Sequence, residues 1–177
     1  TRGGTADQAL YGIKGSVDDI TLLPMQCVAD VVLKVRNTAE SDDDDYYVKF
    51  TPSEGNIPGH GSWEETVKPG TVTDLNASTM PHALIRLEDG TFNVRPLSES
   101  EATDNLPAFW AGRNVGDTNT NPDPSFIGKT ISNMFFYMNR LGMLTEDAVV
   151  LSQPGDFFNF FNSSAIAIAD SDPIDMT

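Results

Sequence analysis

Short runs of alternating apolar and polar residues fill most of this chain, and glycine and proline separate the runs. Because the runs are rich in β-branched and aromatic residues, they predict β-strands rather than helices. The first five predicted strands are Val28–Val35, Tyr46–Phe50, Trp63–Val67, Ala83–Leu87 and Thr91–Val94. The dipeptide Asp89-Gly90 lies between the last two strands and is typical of a tight hairpin turn, since it supplies positive φ angles.

The sequence becomes richer in apolar residues after a polar stretch at residues 117–124. Three apolar runs follow, and they are typical of successive short antiparallel strands, as in a β-propeller blade. The runs are Ile131–Asn139, Ala148–Ser152 and Asp156–Phe161. A helix over Ser132–Leu141 is the alternative prediction, because short apolar runs fit both periodicities. Near the start, Ala6–Lys14 has near-helical spacing and predicts a short helix.

These patterns predict a β-rich α+β fold with antiparallel strands and few short helices. We expect a β-rich, platform-like N-terminal domain over residues 1–126. Residues 127–177 then form the start of a propeller-like β region. The chain begins with Thr1 rather than methionine, from which we expect a fragment of a longer protein.

The charge balance excludes several classes of function. There are 26 Asp and Glu against 11 Lys and Arg, a formal net charge of -15. Such a surface repels nucleic acid and anionic membranes. No stretch has the roughly 18 apolar residues of a membrane span, and residues 1–10 lack a signal pattern. The single cysteine, Cys27, excludes an intramolecular disulfide and is interpreted as a small buried residue.

Fragments of two ligand-binding motifs occur, and both are incomplete. Gly128-Lys129-Thr130 matches the end of a phosphate-binding P-loop, but Asp123 occupies the position of the first glycine. Calcium-ligand spacing is found at Asp117, Asn119 and Asn121. Pro122 occupies the position of the sharp-turn glycine of that motif, and Gly128 that of its bidentate glutamate. We therefore expect the three polar side chains to bond their own backbone.

The remaining candidates for chemistry are isolated residues or acidic clusters. His60 and His82 have no third ligand at zinc-like spacing. Asp42–Asp45 is interpreted as a solvated loop, with loose cation binding as the alternative. An acidic site is the alternative function for Asp170, Asp172 and Asp175, beside the turn and core residues Pro173 and Ile174. We predict no catalytic, cofactor-binding or metal-binding residues.

Aromatic residues are concentrated in the last third of the chain. They are Phe135, Phe136, Tyr137, Phe157, Phe158, Phe160 and Phe161. We predict that they pack in the core and at a subunit interface rather than forming a ligand box. Arg140 is one of very few cations in the acidic C-terminal half. We expect it to pair with a carboxylate, for example in the segment Asp170–Asp175, or to bind backbone carbonyls.

Seven blocks of sequence, in order, match one known family. They are Asp45–Phe50, Trp63–Thr66, Met80–Leu84, Thr120–Gly128, Asn139–Leu144, Phe157–Phe160 and Asp170–Asp175. From about residue 20 to the end, the chain resembles the tail tubular protein B, or nozzle protein, family of short-tailed podoviruses. It departs from that pattern only mildly, at Met138 and Met143, where aromatic or basic residues are more usual.

The resemblance implies a structural component of the virion tail and no catalysis. It further implies a hexamer in the full-length protein, contacts with tail adaptor and tail fibre proteins, and DNA only as transient cargo. A carbohydrate-binding or carbohydrate-hydrolysing tail module is the alternative function. Glu64 and Glu65 beside Trp63 are its candidate carboxylates, but neighbours in a strand point to opposite faces. A calcium-stabilised adhesion module is the third possibility.

Overall fold

The computed structural model describes residues 12–36, 45–98 and 109–177 of the chain. In these ranges it contains eleven strands and one 3-10 helix, Ile20–Leu22. Asp19 caps that helix by accepting a hydrogen bond from the backbone N–H of Thr21. The structure is therefore β-rich, as the sequence predicts. The predicted helix at Ala6–Lys14 lies mostly outside the described residues, as do residues 42–44 of the acidic run.

The first sheet has five strands in the order β1-β3-β4-β5-β2. Their bounds are Ser16–Val17 (β1), Gln26–Cys27 (β2), Val32–Val35 (β3), Tyr46–Pro52 (β4) and Gly59–Thr66 (β5). All pairs are antiparallel except β1 with β3. The three strands predicted here are confirmed, although β3 begins four residues later than expected. Asp30 has a φ of 63°, a left-handed conformation that delays the start of the strand.

Side chains along β4 alternate between buried and more exposed positions, and the buried ones form part of the core of this sheet. Tyr46, Val48 and Phe50 are all buried, as the pattern predicts. Tyr46 and Val48 pack with Leu33 and Val35 from β3 in one apolar cluster. Each strand thereby places every second side chain in the core, which is the expected arrangement for a half-buried antiparallel sheet.

A separate two-stranded hairpin consists of β6 (Ala83–Arg86) and β7 (Phe92–Arg95). Both strands were predicted, with bounds that differ by at most one residue. Gly90 has a φ of 84°, so the Asp-Gly turn works as its sequence indicates. Ala83 on the inner face packs against the second apolar cluster of the protein.

The last sheet has four antiparallel strands in the order β11-β10-β9-β8. They are Asn133–Tyr137 (β8), Arg140–Leu144 (β9), Val149–Leu151 (β10) and Ile174–Met176 (β11). The alternative helix at Ser132–Leu141 is wrong, because Met138 and Asn139 form a two-residue turn with positive φ that joins β8 to β9. The strands β9 and β11 were not predicted.

Residues Asp156–Phe161 do not form the predicted strand. Asp156 makes an isolated bridge with Gln153, and turns follow it. Phe160 and Phe161 are instead buried by tertiary packing. The apolar cluster around them also contains Met80 and Trp110. This apolar cluster therefore includes residues from both sides of the domain division proposed at residue 126. The division into two domains stays a prediction.

Candidate functional site

Two of the three residues with calcium-ligand spacing, Asp117 and Asn121, form hydrogen bonds with backbone groups. Asp117 Oδ1 accepts from the backbone N–H groups of Asn119 and Thr120, at 2.9 and 3.1 Å. Burial alone would raise the pKa of the Asp117 carboxyl, but these bonds and Lys68 lower it below its usual value. Asn121 is buried, and its amide donates to the carbonyls of Val115 and Asn162. The prediction of bonds to the local backbone is confirmed for Asp117, whereas Asn121 bonds backbone groups of other segments.

The P-loop fragment does not form a phosphate site in this structure. The ammonium of Lys129 lies 2.8 Å from a carboxylate oxygen of Asp147, and this bond lowers the pKa of the Asp147 carboxyl. Gly128 and Lys129 line a cavity of about 480 Å³ that also contains Asp74 and Asp123. Two carboxylates in the same cavity oppose the binding of a polyphosphate.

The histidines lie apart and bond different partners. His60 Nε2 lies 2.8 Å from the side-chain amide of Gln26, whereas His82 Nδ1 lies 3.0 Å from the carbonyl of Met80. Within the described residues, no group of three or more His, Cys, Asp or Glu side chains is arranged to hold a metal ion. In the same residues, no helix is long and apolar enough to cross a bilayer. The partly buried Cys27 is a free thiol.

The candidate sugar-binding residues have structural roles. Glu65 accepts hydrogen bonds from the Ser164 hydroxyl at 3.0 Å and from the Ala165 N–H at 2.9 Å. Its neighbour Glu64 points to the opposite face of β5, where the Ser62 hydroxyl donates to it. The indole N–H of Trp63 donates to the carbonyl of Pro24. The two carboxylates therefore do not face each other across a groove, which a glycosidase requires.

The C-terminal aspartates organise a loop rather than an open acidic site. Asp172 is buried and accepts bonds from the Ser163 N–H and hydroxyl and from the Ala169 N–H. Burial alone would raise the pKa of the Asp172 carboxyl. Those donors and the nearby Arg140 charge outweigh burial and lower it. The carboxylate of Asp175 accepts from the Ser125 N–H at 2.8 Å.

The Arg140 side chain binds backbone carbonyls of this loop, which is one of the two arrangements predicted for it. Its guanidinium donates to the carbonyls of Ser152 and Asp172, both at 2.7 Å, and of Asp170 at 2.9 Å. A second buried arginine, Arg113, was missed. It contacts Asp123 and lies 5.0 Å from the ring centre of Phe161. No local pattern around Arg113 indicates burial.

Several large apolar side chains are exposed and form distinct surfaces. On the outer face of the β6–β7 hairpin, Leu84, Phe92 and Val94 are each at least 63% exposed. The β8–β11 sheet buries Leu141, Met143 and Val150 against the core. Its other face, here called the open sheet face, is apolar as well. That face carries the apolar residues Phe135, Leu144, Val149, Ile174 and Met176, together with the buried Leu151 and Arg140.

The predicted core packing of the aromatic residues is confirmed for Phe158, Phe160 and Phe161, whereas Tyr137 is exposed. Trp110 packs edge-on against Phe158, and Phe126 packs edge-on against Phe160, with ring centres 5.4 and 5.0 Å apart. Phe136 is 71% exposed, although it contacts Phe157.

Comparison with known proteins identifies the family. The profile described as bacteriophage nozzle protein matches residues 1–177, including the first 19 residues, which carried no recognisable block. Tail tubular protein gp12 of Escherichia phage T7 is 33% identical over 176 residues, which cover 99% of this chain. The chain spans 20% of the length of that relative. This chain therefore belongs to the bacteriophage nozzle protein family, whose members are structural proteins of the virion tail.

Proposed function

We propose that this chain is part of a ring-forming subunit of the conduit through which the phage genome leaves the virion. In this proposal the full-length protein is a hexamer that contacts tail adaptor and tail fibre proteins. DNA passes the ring as transient cargo and is not bound. The observation that carries the proposal is the disposition of the positive charges.

Most described cations either lie beside an aspartate or are buried. Six lie within ion-pair distance of an aspartate: Lys34, Arg36, Lys49, Lys68, Arg113 and Lys129. Arg95 and Arg140 are buried, as is Arg113. Nonspecific DNA affinity depends on exposed cations that displace counterions from the duplex. The chain has a net charge of -15, and most of its described cations are paired or buried. Both features support the passage of DNA without retention.

The open sheet face supports a position inside a larger β structure. A sheet that is apolar on both faces is stable when both faces are covered, as in the blades of a propeller. The core covers Leu141, Met143 and Val150 on one face of the β8–β11 sheet. On the other face, Ile174 and Met176 are 41% and 52% exposed, beside the buried Leu151 and Arg140. We therefore retain residues 127–177 as the start of a propeller-like region that continues beyond this chain, after a platform-like region over residues 1–126.

Binding to DNA tests the conduit directly. Fluorescence anisotropy with a labelled duplex, recorded over a series of NaCl concentrations, is expected to show no binding at physiological salt. Nuclease and ATPase assays of the same protein are expected to show no activity. Micromolar affinity that falls steeply with added salt would contradict the conduit, because that slope reports phosphate contacts.

The oligomeric state is tested separately on the intact protein. Native mass spectrometry and negative-stain images are expected to show six copies in a closed ring. A protein that stays monomeric at micromolar concentration in both measurements would refute the ring. The carbohydrate alternative has no supporting observation, since Glu64 and Glu65 point to opposite faces and Trp63 is bonded to Pro24.

A further inference from the structure

The outer face of the β6–β7 hairpin carries an exposed cation among exposed apolar side chains. Leu84 lies opposite Val94 across the hairpin, and Arg86 lies opposite Phe92. Opposite residues, and residues two apart in a strand, share one face, so these four side chains lie together and are here called the outer hairpin face. The three apolar side chains are between 63% and 68% exposed, and Arg86 is exposed as well. An aromatic ring and an arginine in an apolar patch are typical of the centre of a protein–protein interface.

Arg86 differs from most cations of this chain because no carboxylate neutralises it. Six of the described lysines and arginines form ion pairs with aspartates, and two further arginines are buried. Only Lys14 and Arg86 among the described cations are exposed and form no ion pair. In the adjoining turn, the Asp89 carboxylate accepts hydrogen bonds from Thr91 instead. The charge of Arg86 is therefore available to a carboxylate of another molecule.

A second copy of the chain carries an acidic, apolar protrusion that complements this face. Residues 165–169, here called the isoleucine loop, have the sequence Ala-Ile-Ala-Ile-Ala. Ile168 is 95% exposed, the largest value among the large apolar side chains of the described residues, and Ile166 is 52% exposed. Asp170 directly follows and is exposed, and it binds Arg140 through its carbonyl rather than its carboxylate. Residues 141–177 contain no lysine or arginine that could repel Arg86.

The isoleucine loop is held in place before any contact forms. The Ser164 hydroxyl accepts from the N–H groups of residues 166 and 167, and it donates to Glu65. The Asp172 carboxylate accepts from the N–H of Ala169 at the other end of the loop. Because a loop fixed in this way has less conformational freedom to lose on binding, more of the energy from burying its isoleucines remains available to the contact.

We propose that the isoleucine loop of one subunit packs against the outer hairpin face of the next, with Ile168 among the apolar side chains and the Asp170 carboxylate paired with Arg86. Apolar burial supplies the adhesion, and the ion pair fixes the orientation of the two surfaces. Once covered and paired, Arg86 no longer presents its charge to passing DNA.

The geometry of this contact is that of a ring. Loop and hairpin face are different surfaces of one chain, so the contact is head-to-tail, and head-to-tail contacts close into rings when the rotation permits. The contact rests on the homo-oligomeric part of the proposed function and names the surfaces that form it.

Site-directed cross-linking of the intact protein tests which surfaces meet. Two single-cysteine variants, Ile168→Cys and Leu84→Cys, are prepared with native cysteines, including Cys27, replaced by serine. Assembled together and oxidised, the mixture is expected to give disulfide-linked dimers that contain one copy of each variant. Val72→Cys is the matched control for Leu84→Cys, because Val72 is also apolar and is 77% exposed, against 68% for Leu84, but lies outside both surfaces. It is expected to give no such dimer.

Charge reversal tests the ion pair separately. Arg86→Asp is expected to weaken assembly of the intact protein about tenfold or more, because it places two like charges in contact. Lys14→Asp is the matched control, since it makes the same change in net charge at the other exposed cation without an ion pair, and it is expected to have a smaller effect. Combining Arg86→Asp with Asp170→Arg is expected to restore assembly to within about threefold of the parent.

The outcomes separate the contact from the ring. A six-fold ring without the Ile168–Leu84 cross-link, or with equal cross-linking at Val72, overturns the contact and leaves the ring in place. Equal weakening by Arg86→Asp and Lys14→Asp, or no recovery in the combined variant, also counts against the contact. Absence of any ring in the parent protein overturns both the contact and the homo-oligomeric part of the proposed function.

Discussion

Replacing Arg140 by alanine should destabilise the protein more than removing an exposed cation such as Lys129 does. Arg140 is only 8% exposed, and its guanidinium donates to three carbonyls at 2.7–2.9 Å. A hydrogen bond from a charged group contributes about 1.5–3 kcal/mol, and buried carbonyls without a donor add a further penalty. Water entering the vacated space recovers part of this. We expect a net loss of roughly 3–5 kcal/mol.

Thermal melting checks that magnitude. For a chain of this length each kcal/mol corresponds to about 2–4 °C, so Arg140→Ala should lower Tm by roughly 6–20 °C. Lys129→Ala is the control, because it removes an exposed ion pair with Asp147 that contributes at most about 1 kcal/mol. If Arg140→Ala melts within a degree of the parent, the three carbonyl bonds do not stabilise the loop and the reasoning fails.

Three further changes have defined directions. Gly142→Ala places a Cβ about 2.4 Å from the Phe135 ring and should cost about 1–3 kcal/mol in urea unfolding, whereas Gly59→Ala meets only an atom at 3.9 Å and should cost less. Met138 has a φ of 45°, a conformation that asparagine tolerates better, so Met138→Asn should stabilise by about 0.5–1 kcal/mol in the same assay; a loss would refute the strain. The pKa of Asp172 is lowered in the folded state, so its contribution is complete above its ordinary value of 3.8 and is lost as pH falls below it. The difference in unfolding free energy between parent and Asp172→Asn should therefore be constant above about pH 5 and shrink below pH 4, and a pH-independent difference would contradict this.

Strands with strong local patterns were predictable from the sequence, and strands defined by their partners were not. Tyr46–Pro52 alternates between core and outside, so its period alone identifies it. By contrast, Arg140–Leu144 has glycine at its centre and an arginine at its start, and neither favours a strand. It is a strand because it pairs with β8 and β10, and the ring of Phe135 covers the space above Gly142. Ile174–Met176 likewise exists only as the partner of β10.

In the candidate site, the sequence predicted only those interactions that the local composition requires. A lone arginine in an acidic region must find acceptors when it is buried, and Arg140 does so at backbone carbonyls. The motif fragments are incomplete because single misplaced residues, such as Pro122, break the geometry that a ligand needs. The packing of Trp110 against Phe158 and the bond between Ser164 and Glu65 depend on contacts between segments far apart in sequence. No pattern within one segment contains that information.

The exposed apolar surfaces and the engaged cations follow from one requirement. Copies of a chain with net charge -15 repel one another, so charge cannot hold the proposed ring together. In that proposal, adhesion comes from apolar contacts, such as the outer face of the β6–β7 hairpin, where Leu84, Phe92 and Val94 are exposed. Unpaired cations on the surface would strengthen subunit contacts, but they would also retain DNA in the proposed conduit. Pairing the cations with aspartates or burying them, as with Arg113 and Arg140, removes that conflict in the proposed assembly.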